Sequence, residues 1–255
     1  MAALPKLCVS VTEPTIDLAR EAIDAAAAAG AFCEVRLDAL EAGGALTVEA
    51  LEPLCARPPV LLTWRLPRDG GRREADDRWR LGLLAEAAQR TPAMVDVEFD
   101  RLNYLETLGI APDRLVLSHH DLERTGSELP DLVERMMKVP AAVVKVATSA
   151  RSSSDQFVHF DLLARGRAAG RPLVAIAMGP KGFSTRVLGP AFGAPFTFCS
   201  LASGAESAPG QGTLADMRDL YRAPVLTRET AVLGLVAGDI GYTLSPAIHN
   251  RACAA

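Results

Sequence analysis

The stretch Ala141-Ala142-Val143-Val144-Lys145-Val146-Ala147 is a short apolar run that predicts a buried β-strand over Val143–Ala147. A segment with helical periodicity follows it at Asp155–Ala169, and a second apolar run comes next at Leu173–Ala177. A strand, a helix and a strand in this order predict a βαβ unit with two parallel strands.

The same alternation extends outward over most of the chain. The other predicted strands are Leu7–Val11, Phe32–Leu37, Val60–Trp64, Met94–Glu98, Arg114–Ser118 and Phe196–Ser200, and the other clear helical patterns are Thr15–Ala29, Glu74–Arg90 and Ser127–Lys138. Eight such units within about 220 residues predict a closed (β/α)8 TIM barrel. The alternative is an open doubly wound sheet, but residues 10–14 do not form the Gly-rich turn that such a sheet usually has after its first strand.

Composition excludes several classes of function. Hydrophobic residues make up 49% and charged residues 23% of the 255 residues, and the formal net charge of −4 gives no reason to expect a nucleic-acid partner. Nothing resembles a signal peptide or a membrane span, so we expect a cytoplasmic protein without a membrane partner. The five cysteines lack C-x-x-C spacing, so we also expect no zinc and no disulfides.

The composition changes near Tyr221–Thr230, where arginine and proline separate the last helix from a new apolar run, Val232–Ala237. We therefore predict a barrel over residues 1–222, a linker over residues 223–229, and the beginning of a second α/β domain over residues 230–255. Because about thirty residues cannot form a domain alone, this tail is interpreted as a truncated fragment whose first element is a strand, Val232–Ala237.

Lys145 is the strongest candidate for chemistry. An unpaired ammonium inside an apolar strand is unfavourable, so we expect a neutral amine there, which can attack a carbonyl and form a Schiff base. Among the other lysines, Lys6 precedes the first strand and Lys138 ends a helix, so neither would lie at the catalytic end of the barrel. Lys181, after the seventh strand, is the only competitor. The structural alternative is a buried lysine paired with a glutamate.

Other polar residues stand where predicted strands end, which is where the active sites of such barrels form. His119-His120-Asp121 follows the fifth strand, and one histidine of the pair could move protons. The remaining strand ends carry charge at Glu34, Arg36, Arg65 and Glu98. Glu34 and Arg36 are two residues apart and share a face, so a simple internal ion pair is the alternative for them.

Two loops near the end of the barrel offer ligand-binding groups. Arg186 follows the seventh strand and could bind a carboxylate, although its spacing alone favours a solvated surface arginine. The loop of residues 203–211 consists mostly of small residues and could fold over a ligand, with Ser207 and Gln211 donating hydrogen bonds. An ordinary surface loop is equally compatible with that composition.

Taken together, these motifs resemble one family, type I 3-dehydroquinate dehydratase. The matching motifs, in order along residues 5–220, are E-V-R-L-D, T-W-R, D-V-E, S-H-H-D, V-V-K-V, M-G-P-K-G-F-S-T-R and S-A-P-G-Q. The motifs S-A-P-G-Q and E-V-R-x-D are fairly specific, whereas a lone lysine in a strand is not. Their common order along the chain makes the resemblance strong.

The resemblance implies a lyase of the shikimate pathway, in aromatic amino acid biosynthesis, that removes water from 3-dehydroquinate by syn elimination and needs no cofactor and no metal. It implies that Lys145 forms the imine, that His120, directly before Asp121, acts as general base, and that Glu98 orients His120. Arg186 would hold the substrate carboxylate. The other implied substrate-binding residues are Glu34, Arg36, Arg65, Met178, Phe198, Ser207 and Gln211.

The tail resembles the opening of shikimate dehydrogenase, whose motif S-x-S-P-x-x-H-N matches Ser245-Pro246-Ala247-Ile248-His249-Asn250, with Thr243 at the first serine. This resemblance implies a fused dehydrogenase domain in a parent protein, no NADP binding by this chain, and a homodimer on family grounds.

Two other functions are compatible with the same residues. A class I aldolase would share the Schiff-base lysine but would need a phosphate site, whereas Arg186 fits a carboxylate better. A catalytically inactive scaffold is the alternative from a different class, and the presence of Lys145, His120 and Arg186 argues against it.

Overall fold

The computed structural model describes residues 4–41, 46–56, 59–235 and 243–254, and within them it contains one eight-stranded sheet with parallel neighbours. The strands are β1 Leu7–Val11, β2 Phe32–Arg36, β3 Val60–Thr63, β4 Met94–Glu98, β5 Leu115–Asp121, β6 Val143–Ser149, β7 Leu173–Met178 and β8 Thr197–Cys199. Their bounds confirm the eight predicted strands, most of them to within two residues.

The sheet curls into a nearly closed barrel, as predicted. Its strand order is β7-β6-β5-β4-β3-β2-β1-β8, so β1 pairs with both β2 and β8. Between β7 and β8 the described residues show no ladder. A loop contact lies there instead, because Gly179 N after β7 donates to Pro209 O at 3.1 Å.

Helices connect the strands on the outside of the barrel. They are α1 Ile16–Ala28, α2 Val48–Cys55, α3 Asp77–Arg90, α4 Leu102–Leu108, α5 Leu129–Met137, α6 Asp155–Ala168 and α7 Phe183–Phe192. Side chains cap α1 and α3, where Thr15 and Asp76 accept from the amides of Leu18 and Trp79. Between β8 and residue 225 the chain forms a helical turn, Asp216–Leu220, and a 3-10 turn, Ala223–Val225. No helix in the described ranges is long and apolar enough to cross a membrane.

Each strand is buried on both faces, which is why the strands appear in the sequence as continuous apolar runs rather than alternating ones. Outward side chains such as Val35, Leu62 and Val144 pack against the helices. Inward side chains form a second cluster that fills the amino-terminal half of the barrel, here called the apolar plug. Its members include Cys8, Phe32, Leu61, Met94, Val116, Val143, Val174 and Phe196.

Strand β5 extends three residues beyond the predicted end at Ser118. Its last three residues pair with β6, His119 opposite Val146, His120 opposite Ala147 and Asp121 opposite Thr148. The prediction ended the strand too early, because polar residues can continue a parallel ladder where the neighbouring strand supplies partners for their backbone groups. The two histidines therefore lie in the strand and not after it.

The predicted strand Val232–Ala237 is wrong where it can be compared. Residues 231–235 have no regular structure, and residues 236–237 lie outside the described residues. Val232 and Leu233 are 60% and 82% exposed, and an isolated strand without a neighbour is not stable. The predicted helix start is present as α8, Ser245–Ala254, whose Asn250 Nδ2 donates to Leu220 O at 2.7 Å. Residues 238–242 of the tail motif lie outside the described residues.

Candidate active site

Above the apolar plug, the barrel interior changes from apolar to polar. At one level of the barrel, strands β1 to β6 each direct one buried polar side chain inward. This set is called here the polar layer: Ser10, Glu34, Thr63, Asp96, Ser118 and Lys145. The ladder register aligns them in neighbouring pairs, with Ser10 opposite Glu34, Thr63 opposite Asp96, and Ser118 opposite Lys145. The alternation of side chains along a strand therefore concentrates polar groups at one level of the barrel.

Lys145 lies at the centre of this layer and is 5% exposed. Its Nζ is 3.0 Å from Glu34 Oε1 and 3.2 Å from Asp96 Oδ2, and it lies 4.4 Å from the centre of the Phe198 ring. The expectation of an unpaired amine was wrong, because Val144 and Val146 point to the outer core while the amine faces two carboxylates. The ion pair foreseen as the structural alternative is present, and it holds the amine in the barrel interior.

Each carboxylate beside Lys145 has further donors. Glu34 accepts hydrogen bonds from Ser10 Oγ at 3.3 Å and from Thr63 Oγ1 at 3.1 Å. Asp96 Oδ1 accepts from Ser118 Oγ at 2.5 Å and from Arg65 Nη2 at 2.7 Å. Burial alone would raise the pKa of Asp96, but the charges of Arg65 and Lys145 hold that pKa well below its usual range. Asp96 is therefore ionised at neutral pH.

His120 and His119 point to opposite faces of β5. His120 is two residues beyond Ser118 and so shares its inward face, whereas His119 points away from the polar layer. Burial, followed by the charges of Arg65 and Lys145, lowers the pKa of His120 well below its ordinary value. The imidazole is therefore neutral near pH 7 and able to accept a proton.

The predicted contact between Glu98 and His120 is not formed in this structure. Glu98 Oε1 accepts from Arg65 Nη1 at 3.1 Å, and Glu98 Oε2 accepts from Arg80 Nη1 at 2.9 Å. The buried Nδ1 of His120 has no hydrogen-bond partner among the described residues. Two guanidinium groups compete with the imidazole for this carboxylate, and they bind it more strongly than a neutral ring would.

Arg186 is buried, 2% exposed, in the first half of α7. Its Nη2 donates to Pro209 O at 3.4 Å, and its Nε has no partner in the described part of the chain. Because burial disfavours the charged form, the pKa of Arg186 falls to about 10. The alternative of a solvated surface arginine was therefore wrong, and a buried guanidinium without a carboxylate is suited to receive an anion.

The loop after β8 folds back onto the polar layer. Gln211 Nε2 donates to Ser10 Oγ at 3.2 Å and to Ser207 Oγ at 3.1 Å, and Ser207 N donates to Gln211 Oε1 at 2.8 Å. Gly210 has φ +73°, and a Cβ added there would lie 2.8 Å from the carbonyl carbon of Gly179. Only glycine permits this approach of the two loops, which brings Ser207 and Gln211 to the site.

Comparisons with known proteins agree with this geometry. The sequence pattern described as type I 3-dehydroquinase matches residues 7–225. The chain belongs to this family. It is 33% identical over 225 residues to a 3-dehydroquinate dehydratase of Dehalococcoides mccartyi, a match that spans 86% of this chain and 96% of that protein.

A longer relative also matches. The chain is 30% identical over 255 residues to the Arabidopsis thaliana protein named bifunctional 3-dehydroquinate dehydratase/shikimate dehydrogenase, chloroplastic. That match spans 96% of this chain but 42% of that protein, so the chain spans less than half the length of this relative.

Solved structures of the family share the fold. The type I 3-dehydroquinate dehydratase of Clostridium difficile superimposes with a TM-score of 0.71 at 22% identity, over 86% of this chain and 92% of that one. The Aquifex aeolicus enzyme gives a TM-score of 0.66 at 27% identity, over 85% and 97% of the two chains.

Other predicted residues of this dehydroquinase site lie near the polar layer. Glu34 and Arg36 do not pair with each other, because Arg36 makes two bonds of 2.8 Å to Asp38 instead. Met178 and Phe198, the residues predicted to form an apolar wall, are buried inside the barrel. The competitor Lys181 is exposed and donates to Arg151 O at 2.7 Å, away from the polar layer.

The sequence reasoning missed Asp96 and Arg80. Asp96 is two residues before Glu98, so the alternation argument used for Glu34 and Arg36 could have found it. Arg80 is 0% exposed and occupies a core-facing position of α3, one turn before Leu84. A charged residue on the apolar face of a helix was the available signal, although the sequence could not say what it contacts.

Proposed function

We propose that this chain dehydrates 3-dehydroquinate to 3-dehydroshikimate by syn elimination through an imine on Lys145. The coarser activity follows from the family: the chain is a lyase that acts as a 3-dehydroquinate dehydratase of the shikimate pathway. The observation that carries the finer proposal is the amine of Lys145, which is buried in the barrel interior beside the strand that holds an inward, neutral His120.

The lysine would attack the C3 ketone and, after loss of water, hold the substrate as an iminium. Only the neutral amine can attack, so a nearby group must take up the proton of the ammonium. His120 is neutral and can accept it, whereas Asp96, whose pKa is held well below its usual range by Arg65 and Lys145, does not retain a proton. The two carboxylates beside Nζ would then stabilise the positive charge of the iminium.

His120 would return that proton to the carbinolamine hydroxyl, which leaves as water, and would be neutral again. It would then remove a proton from C2, and the iminium would accept the electron pair of the broken C–H bond. The C1 hydroxyl would leave as water with the proton that His120 carries, which makes the elimination syn. Hydrolysis of the product iminium would return the amine of Lys145 and release 3-dehydroshikimate. In this series of reaction steps the iminium is the electron sink, so no step requires a metal or an organic cofactor.

Arg186 would bind the substrate carboxylate, since it is a buried cation without a carboxylate partner among the described residues. Ser207 and Gln211 would hydrogen-bond substrate oxygens from the closing loop, and Phe198 and Met178 would pack against its carbon ring. Glu34, Arg36 and Arg65 complete the proposed binding residues. Glu98 would act on the site through its bond to Arg65 and not by orienting His120.

We also propose that residues 1–222 are the catalytic domain, that residues 223–229 are a linker, and that residues 230–255 begin a shikimate dehydrogenase domain. Support comes from the match to the bifunctional Arabidopsis protein, which extends over 96% of this chain. The absence of NADP binding, the homodimer and the cytoplasmic location stay predictions from the resemblance.

Trapping of the imine tests the proposed chemistry. The chain is incubated with 3-dehydroquinate, reduced with borohydride, digested and analysed by mass spectrometry. We expect a substrate adduct on the peptide that contains Lys145. Modification of Lys181, or no modification at all, would remove the proposed mechanism.

A further inference from the structure

The catalytic amine is the inner part of a continuous series of alternating charges, called here the charge chain. Its members, from the outer surface of the barrel inward, are Arg101, Asp77, Arg80, Glu98, Arg65, Asp96, Lys145 and Glu34. Four cations thus alternate with four carboxylates. The contacts between consecutive members range from 2.6 Å for Arg101 Nε to Asp77 Oδ2 to 3.2 Å for Lys145 Nζ to Asp96 Oδ2.

Arg80 joins the outer half of this chain to the inner half. It comes from α3, outside the barrel, and its side chain is 0% exposed. Its Nε donates to Asp77 Oδ1 at 2.8 Å, and its Nη1 donates to Glu98 Oε2 at 2.9 Å and to Trp64 O at 3.3 Å. Burying a guanidinium in this way is a poor means of stabilising a fold, so the arrangement calls for another explanation.

Without the charge of Arg80, the described members of the chain would carry four negative charges against three positive ones. Among the described residues, Glu98 would keep Arg65 as its only ion-pair partner, and Arg65 also pairs with Asp96, which Lys145 contacts. The excess negative charge would act electrostatically on the amine, because the poorly solvated interior screens charges only weakly.

We propose that Arg80 is a positioning residue that acts on Lys145 through Glu98, Arg65 and Asp96. By completing the charge balance from outside the barrel, it lets the amine release its proton for imine formation. The proposal rests on the proposed Schiff-base function of Lys145. It assigns a role to a helix residue that does not touch the amine.

Every neighbouring element contributes to the surroundings of the amine. The titratable and charged groups that face it are Cys8 of β1, Glu34 of β2, Arg65 after β3, Asp96 of β4 and His120 of β5. Strands β7 and β8 present Val174 and Phe198, which are apolar. Arg80 is therefore an additional, remote contribution whose removal changes the charge without removing a contact of the amine.

The expected shift has a definite direction. Loss of a cation makes the ammonium form of Lys145 more favourable, so the amine keeps its proton to higher pH. For a charge on the order of 10 Å away, at an effective dielectric constant of about 20, the change is about 0.5 to 1 pH unit after partial screening.

Competitive labelling with acetic anhydride measures this property without substrate. The extent of acetylation of Lys145 is followed by mass spectrometry across the alkaline range for the wild type, Arg80→Gln, Arg80→Lys and Arg90→Gln. Arg90 is the matched control, since it ends the same helix and pairs with Glu49, Glu52 and Glu86 on the surface. We expect an upward shift of the labelling midpoint of about 0.5 to 1 pH unit in Arg80→Gln only.

The conservative variant and a charge-restoring pair separate this role from a structural one. Arg80→Lys should keep the wild-type midpoint, and Arg80→Gln combined with Glu98→Gln should return to it. An unshifted midpoint in Arg80→Gln, an equal shift in Arg90→Gln, or failure of both glutamine and lysine variants to fold would overturn the proposal. If the wild type forms no imine with 3-dehydroquinate but the midpoints still shift, the proposed function fails and the electrostatic role of Arg80 stands.

Discussion

Two layers of the same barrel, formed by the same strands, have opposite character. On β2, β4 and β6, a step of two residues leads from Phe32 to Glu34, from Met94 to Asp96, and from Val143 to Lys145. These steps cover only about 7 Å along each strand. The apolar plug and the polar layer therefore share their backbone geometry and differ only in side chains.

The two layers contribute differently to the stability of the barrel. The ring of Phe196 in the plug packs edge-on against the rings of Phe32 and Phe198, with centroid separations of 4.9 Å and 5.5 Å. Such burial of apolar area is the main stabilising contribution in folding. In the polar layer, charges are removed from water and compensated only by each other, which on balance contributes little to stability. The plug thus provides the stability that lets the layer above it hold reactive groups in fixed positions.

The largest effect should follow from exchanging a residue in each layer of β6. We expect Lys145→Met to lower kcat by about 10⁴- to 10⁶-fold, because the proposed imine cannot form. Val143→Ala, two residues away in the plug, should keep kcat within about threefold and lower the free energy of unfolding by about 2 kcal/mol. Steady-state kinetics and urea denaturation of both variants make the measurement.

Lys145→Met should also lose about 3 kcal/mol of stability, since Glu34 is left buried without its cation. The two variants are therefore separated by kcat and not by stability. Comparable kcat values for both would mean that the layers do not divide catalysis and packing between them.

The next effect tests the two faces of one strand. We expect His120→Ala to lower kcat by about 10²- to 10⁴-fold, the usual contribution of a general base, while the imine on Lys145 is still trapped by borohydride. His119→Ala, whose side chain lies on the other face of β5, should stay close to wild type. If His119→Ala were the more damaging of the two, the assignment of the base to His120 would be wrong.

The strands of this molecule could be predicted from the sequence, but the side-chain contacts between different elements could not. The alternation of apolar runs and helical patterns predicted the eight strands, and period-two spacing predicted that Glu34 and Arg36 share one face of β2. Contacts across elements could not be predicted, because they depend on the register between strands and on helix rotation. That is why Glu98 was assigned to His120, although Arg65 and Arg80 bind it, and why Asp96 was overlooked beside Lys145.

Arg186 extends the comparison to a charge that has no partner in the polar layer. We expect Arg186→Met to lower kcat/KM by about 10²- to 10³-fold, because the proposed charge-assisted contact to the substrate carboxylate is lost. The same change should raise the free energy of unfolding by about 1 kcal/mol, since an uncompensated buried cation is removed. Arg167→Met, at an exposed position of α6, is the control for both measurements.

An unchanged kcat/KM in Arg186→Met would show that the substrate carboxylate binds elsewhere. A loss of stability in that variant would contradict the view that the guanidinium is held at a cost for the sake of binding. The two readouts are independent, so each can fail separately.

The smallest expected effect concerns a buried histidine outside both layers. His159 of α6 is 0% exposed, its Nε2 lies 2.9 Å from Thr148 Oγ1, and burial is the main reason that its pKa is lowered. Because the folded-state pKa lies below the unfolded value of about 6.5, the unfolded chain takes up a proton first as the pH falls. The free energy of unfolding should therefore decrease below about pH 6.5, by up to about 1.4 kcal/mol per pH unit for each such histidine, until the folded-state pKa is reached. His120, whose pKa is also lowered, contributes in the same direction.

Urea denaturation at a series of pH values should show a shallower decrease for His159→Gln than for the wild type, with His249→Gln on the exposed face of α8 as the control. A decrease as steep in His159→Gln as in the wild type would assign the acid sensitivity to His120 and not to His159.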